Sequence, residues 1–197
     1  PGDPAEGWAY SEDGIREMAA KKGLKLIREV DADLPTRLKG DPVHLQQILG
    51  HLLNNAVKFS EHGNITLRAR RIKAHNEEVS VRFEVEDQGI GIAPEVQAGL
   101  FQSFNQGDGA MTRKYGGMGL GLALCQRLVS LMAGEIGVIT TPGQGSTFWF
   151  SVRLPVGKSP SAGATDTGSV DWKQIGAAIS YMERLLDDCD SQAQTLW

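Results

Sequence analysis

Val79, Val81, Phe83 and Val85 recur at every second position, so residues 78–87 are predicted as a strand with one apolar face. The period carries on to Asp87, which puts a carboxylate on that same face where the core ends. Further strands are predicted at 24–30, 64–73, 135–140 and 146–154, the last with Phe148, Phe150, Val152 and Leu154 on one side. Between them the period changes. Asp41-Pro42 caps and opens a helix over 41–60. Leu45, Ile48, Leu49, Leu52, Leu53 and Ala56 gather on its core side, and His44, Gln47, His51, Asn55 and Lys58 on the other. The flanking Leu52 and Phe59 make that polar row read as a cleft wall, against the plainer reading of a wet face. Shorter helices are expected at 11–22 behind Ser11, at 93–100 with Pro94 near its start, and from the glycines at 116–121 to Met132. Residues 31–40 and 74–77 read as connections, and Pro142-Gly143-Gln144-Gly145 as a turn.

At 197 residues and 41% hydrophobic content, the chain can build one core with some length left over. The expected division is a linker and short helix over 1–22, a globular unit over 23–156, a Ser/Gly/Ala/Pro linker over 157–169, and a helix over 170–197. That last helix would carry Trp172, Ile175, Ile179, Met182 and Leu186 as an apolar stripe. The net charge of −4 gives no basic field for nucleic acid or an anionic membrane. Cys125 and Cys189 stand too far apart for a metal pair, so a reducing, cytoplasmic setting is expected. No apolar run approaches the roughly 20 residues that span a bilayer, and the first residues lack the pattern of a signal peptide.

The chemistry-bearing stretch is Asp87-Gln88-Gly89-Ile90-Gly91-Ile92. A buried acid is costly unless hydrogen-bonded, and the glycines let a backbone or a flat ligand come close. On this stretch alone, a pocket floor and a solvated strand end stand equal. Farther on, residues 105–115 are polar and aperiodic, in the manner of a lid. They run into Gly116-Gly117-Met118-Gly119-Leu120-Gly121-Leu122, where glycines feed a helix N-terminus suited to phosphate, with Arg113 and Lys114 as cationic donors upstream. The usual phosphate fingerprints are absent. Gly157-Lys158-Ser159 ends like a P-loop but has Val152 where the first glycine belongs, and the Gly116 cluster follows a lid rather than a strand. His44, His51, His62 and His75 have no metal-site spacing, and there is no nucleophile elbow.

Taken in order, these features resemble the catalytic and ATP-binding domain of sensor histidine kinases, in the Bergerat-fold superfamily shared with DNA gyrase and the mismatch-repair ATPases. The resemblance covers residues 11–155 and rests on five separated motifs. His51 to Phe59 resembles the asparagine box, Asp87 to Ile92 the first glycine box, and Phe101 to Phe104 the phenylalanine box. Gly116 to Leu122 resembles the second glycine box, and Gly143 to Phe148 the last. The fold implied is α+β: a two-layer α/β sandwich whose mixed, mostly antiparallel sheet of about five strands is covered on one face by three helices, with an ATP lid.

The roles implied transfer position by position. Asp87 accepts from the adenine amino group, and Asn55 supplies an oxygen to Mg²⁺. Lys58 and Arg113 neutralise the phosphates, Phe59 lines the adenine pocket, and Gly117, Gly119 and Gly121 offer backbone N–H groups. Ser146 or Thr147 holds the hydrogen-bond network around Asp87. The implied nucleotide site further takes in Gly89, Gly91, Ile92, Phe104, Lys114, Tyr115, Met118 and Leu120, and the catalytic set is His51, Asn55 and Arg113. His51 stands where the family commonly has asparagine, and Met118 where it often has threonine. His51 is also not the glutamate of water-activating relatives, which favours transfer to protein over hydrolysis. The reaction implied is transfer of the γ-phosphoryl of ATP, with Mg²⁺, to a histidine in a two-component phosphorelay. None of the four histidines has the acceptor setting, so a histidine-bearing dimerisation domain is expected upstream and a response regulator receiver domain downstream. The tail resembles the helix before a phosphotransfer domain in hybrid kinases. The competing reading, prompted by His51 and Met118, is a degenerate regulatory module that works by docking.

Overall fold

The computed structural model describes residues 12–35, 37–75, 77–101, 118–156 and 170–171. In chain order the elements are α1 (Glu12–Lys21), β1 (Lys25–Val30), β2 (Arg37–Leu38), α2 (Pro42–Phe59), β3 (Asn64–His75), β4 (Glu78–Asp87), α3 (Pro94–Gln97), α4 (Met118–Leu131), β5 (Glu135–Thr141), β6 (Gly145–Pro155) and β7 (Val170–Asp171). Five strands form one sheet in the order β1-β3-β4-β6-β5. β1 runs parallel to β3, and every other neighbouring pair is antiparallel.

Alternation explains the sheet's two faces. On β4, Val79, Val81, Phe83 and Val85 are buried with Asp87, while Arg82, Glu84 and Glu86 between them are half-buried on the far face. The apolar row meets Phe148, Phe150, Val152 and Leu154 of β6, and the rings of Phe83 and Phe150 stack at 5.0 Å. Helix α2 lies against this face, and α1 and α4 both pack against α2. The opposite face is a charged lattice: Arg68 bridges Glu29 and Glu86, and Arg82 sits 4.1 Å over the ring of Trp149.

Both ends of α2 are held. Asp41 accepts the N–H groups of Val43 and His44 at 2.9 and 3.2 Å, with Pro42 in the first turn. At the other end, the ammonium of Lys22 donates to the carbonyls of Val57, Lys58 and Ser60 at 2.8, 2.9 and 2.9 Å. A cation there satisfies open carbonyls and opposes the negative end of the helix dipole. Lys22→Met keeps the stem and removes the donors, and is expected to cost about 1 to 2 kcal/mol, read as a lower urea midpoint with an unchanged slope.

Four expectations need correction. Residues 31–40 are not all connection, since Arg37–Leu38 pair with Val170–Asp171 and Leu38 also bridges Val156. Leu38 is completely buried there, which fixes the strand. Val170 and Asp171 therefore do not open a helix: their backbone is extended along β2. The linker at 157–169 and the apolar stripe from Trp172 onward lie outside the described residues. β3 continues to His75, with a register shift between Arg71 and Lys73. The helix expected over 93–100 is one short turn, Pro94–Gln97, capped by Ala98 just ahead of Gly99, a poor helix former.

Candidate functional site

At the C-terminal ends of α2 and β4 the layers part around a cleft of about 460 Å³, open mouth included. Asn55 and Phe59 of α2 form one wall, Asp87 and Phe148 the floor, and Ile90, Gly91, Ile92, Ala93 and Val96 the other wall. Of the polar row on α2, Asn55 faces the cleft, with Leu52, Leu53 and Ala56 beside it drawn into the core, whereas His44, Gln47, His51 and Lys58 do not line it.

Asp87 is only 6% exposed. One carboxylate oxygen accepts the Gly89 N–H at 2.9 Å, and the Ser146 N–H also donates to the carboxylate. Burial nevertheless outweighs these bonds and pushes its pKa above the ordinary value of 3.8. A carboxylate kept in this condition, with acceptor capacity left over, is suited to a ligand donor. The glycine loop is pinned against β5. The hydroxyl of Thr140 takes the Ile92 N–H at 2.9 Å, lies 3.0 Å from the Gly145 carbonyl, and is 2.9 Å from the Ser146 hydroxyl. Gly143 N–H donates to the Ile90 carbonyl at 2.8 Å, and Gly91 lies so close to the Thr141 carbonyl that no side chain fits.

The implied site residues fall into three groups. Asn55, Phe59, Asp87, Gly91 and Ile92 come together on the cleft, with Gly89 and Ser146 bonded to the acid. His51 is half-buried between α2 and α4, its Nδ1 3.0 Å from where a side chain on Gly121 would begin, and burial lowers its pKa toward the neutral imidazole. Lys58 is exposed, its ammonium 5.4 Å from the Phe59 ring. Met118, Gly119 and Leu120 begin α4. Phe104, Arg113, Lys114, Tyr115 and Gly117, with the expected lid, lie outside the described residues. Thr147 requires a correction: Ser146 and Phe148 are buried on the Asp87 face, so Thr147 between them is on the opposite face, opposite Glu86.

The sequence reading missed Thr140, Ile90, Ala93, Val96 and Phe148 as site residues. Phe148 and Thr140 had a signal, the period of two; the other three are placed by the loop and the short helix that follow Asp87. Cys125 is buried with its thiol pushed up to about 12, which makes it a packing residue and not a nucleophile. Among the described residues no three His, Cys, Asp or Glu side chains are grouped to hold a metal, and no helix is long and apolar enough to cross a membrane.

A family model described as histidine kinase-, DNA gyrase B-, and HSP90-like ATPase matches residues 40–156. The chain belongs to this ATPase family. Its open sheet with helices on one side is the Bergerat fold. Among curated relatives of this ATPase domain, the sensor histidine kinase GacS of Pseudomonas protegens is 45% identical over 141 residues, 72% of this chain and 15% of that protein. The signal transduction histidine-protein kinase BarA of Escherichia coli is 43% identical over 133 residues, 68% of this chain and 14% of that protein. The chain thus spans a small part of these relatives' length. Among solved structures, full-length ShkA in complex with AMPPNP superposes with a TM-score of 0.61 at 35% identity, over 80% of this chain and 32% of that one. The mycobacterial sensor histidine kinase MprB, at 20% identity and a TM-score of 0.54 over 74% of this chain and 93% of that one, shares the fold.

Proposed function

We propose that this chain is the catalytic domain of a two-component sensor histidine kinase: it binds ATP with Mg²⁺ and presents the γ-phosphoryl to a histidine on a separate dimerising helical domain. The observation that carries this reading is the buried Asp87 carboxylate on the floor of a cleft walled by Asn55. Asp87 accepts from the exocyclic amine of adenine while Phe59, Ile92 and Phe148 enclose the ring. Guanine has a carbonyl at the same position, so GTP is expected to bind roughly 100-fold more weakly.

The Asn55 amide suits Mg²⁺, a hard cation that keeps several waters and takes phosphate oxygens, so a single protein oxygen is enough. When bound, the ion screens the charge that develops on the transferred phosphoryl group. Lys58 and Arg113 add cationic charge, and the first residues of α4 add N–H groups. His51 packs this stretch of α2 against α4 and stands in place of the glutamate of water-activating relatives, which favours transfer to protein over hydrolysis. The catalytic unit runs over 23–156, it works in the cytoplasm, and its partners are the acceptor domain and a downstream receiver domain. The support is geometric and comparative together: the cleft, the family match, and the kinship with sensor histidine kinases.

A fluorescent ATP analogue titrated with and without Mg²⁺ is expected to show saturable, Mg²⁺-stimulated binding, and Asn55→Ala is expected to raise the Mg²⁺ requirement roughly tenfold. Adding a dimeric helical hairpin that bears an acceptor histidine should yield acid-labile, base-stable phosphohistidine. ATP binding without any such product would replace the kinase reading by a docking module.

A further inference from the structure

We infer that Thr140 is a positioning residue for nucleotide selection, its hydroxyl locking the glycine loop and Ser146 into the arrangement that leaves the Asp87 carboxylate open to the base. The inference rests on the ATP reading proposed above and goes beyond it to a residue that never faces the cleft. The sheet register sets Thr140 opposite Ser146, and Ser146 opposite Asp87, so the three side chains form one row across β5, β6 and β4 on the core face. Within that row the Thr140 oxygen has three neighbours from three segments: the Ile92 N–H at 2.9 Å, the Gly145 carbonyl at 3.0 Å and the Ser146 hydroxyl at 2.9 Å.

Each contact has a consequence for the acid. Ile92 closes the glycine loop whose Gly89 N–H holds one oxygen of Asp87. Gly145 begins the strand whose Ser146 N–H donates to the same carboxylate. The Ser146 side chain is almost wholly buried. Its bond to Thr140 keeps the hydroxyl turned along the row, so that it does not cap the oxygen meant for the ligand. Removing the Thr140 hydroxyl leaves the Ile92 N–H without that acceptor and frees Ser146 to donate to Asp87, in competition with the adenine amine. Selection against a 6-carbonyl purine should therefore weaken along with affinity.

The test compares wild type, Thr140→Val and Thr140→Ser in Mg²⁺-dependent binding of ATP and GTP, with urea unfolding in parallel. Thr140→Val is expected to lose roughly tenfold in ATP affinity with little change for GTP, so that the ATP-to-GTP ratio falls. Thr140→Ser, which restores the hydroxyl, is expected to return the ratio. If the valine variant fails to fold, Thr140→Ala replaces it with the same expectation. A lowered unfolding midpoint with the wild-type ratio would reduce Thr140 to a structural role and overturn this inference alone. Failure of the wild-type chain to bind ATP would overturn the ATP reading and this inference with it.

Discussion

Asp87→Asn is expected to weaken ATP binding by roughly 100-fold while leaving the domain folded and, near neutral pH, at least as stable as wild type. The two side chains have the same shape, and the amide oxygen can keep the Gly89 N–H that Asp87 holds at 2.9 Å. That assignment turns the amide NH₂ toward the cleft, where it meets the amino group of adenine donor to donor. A bond to a charged acceptor is lost and an unpaired donor remains, which together account for the predicted factor. Stability moves the other way, because the substitution removes a carboxylate whose burial raises its pKa.

The sign follows from linkage. A carboxyl whose folded pKa lies above the unfolded value binds its proton more readily in the folded state. Its penalty is thus absent below the ordinary value of 3.8 and fully present above the raised folded value. Nucleotide binding needs the ionised acid, so wild-type affinity should fall as the pH drops through that raised value, and the variant should lack this limb. Calorimetric titration across pH, with thermal unfolding of both proteins, checks both halves. Equal ATP affinities would remove Asp87 from the site.

What the sequence disclosed and what it hid can be traced to particular residues. Asp87 was legible because four apolar residues at period two lead into it, and a one-residue slip would have turned the whole row outward. The two faces of α2 were legible because 18 residues provide several turns over which a stripe repeats. The same counting, run backward from Phe148 and Phe150, separates Ser146 from Thr147 and carries Ile136 and Val138 on to Thr140. Pairing of β2 with β7 was not legible, since two-residue strands far apart in the chain have no period to read. Ile90, Ala93 and Val96 reach the cleft through loop geometry, which pattern does not encode. Arg113 and the expected lid were read from the polar, aperiodic run at 105–115, which lies outside the described residues.

Gly145→Ala is expected to lower stability by about 3 kcal/mol and the melting temperature by roughly 10 °C. Gly145 has φ +105°, outside the range that a side chain tolerates without strain. Its added methyl would also run into the Asp87 carbonyl and stand 3.0 Å from the Gln88 Cα. Both obstacles are backbone, the Asp87 carbonyl at the end of β4, which pairs with β3 on its other side, and the Gln88 Cα directly after it, so neither can swing away as a side chain would. Relief requires β6 to move off β4 where Asp87 and Ser146 face one another, and ATP affinity should fall with stability. Gly143, two residues earlier, provides the control. It too has a positive φ, +77°, but nothing lies within 4 Å of a methyl there. Gly143→Ala should therefore cost only the conformational term, about 1 kcal/mol, and leave nucleotide binding intact. Thermal unfolding and ATP titration of the two variants side by side separate backbone strain from collision. Equal losses at both positions would show that the turn's conformation matters and that the close packing of Gly145 against Asp87 does not.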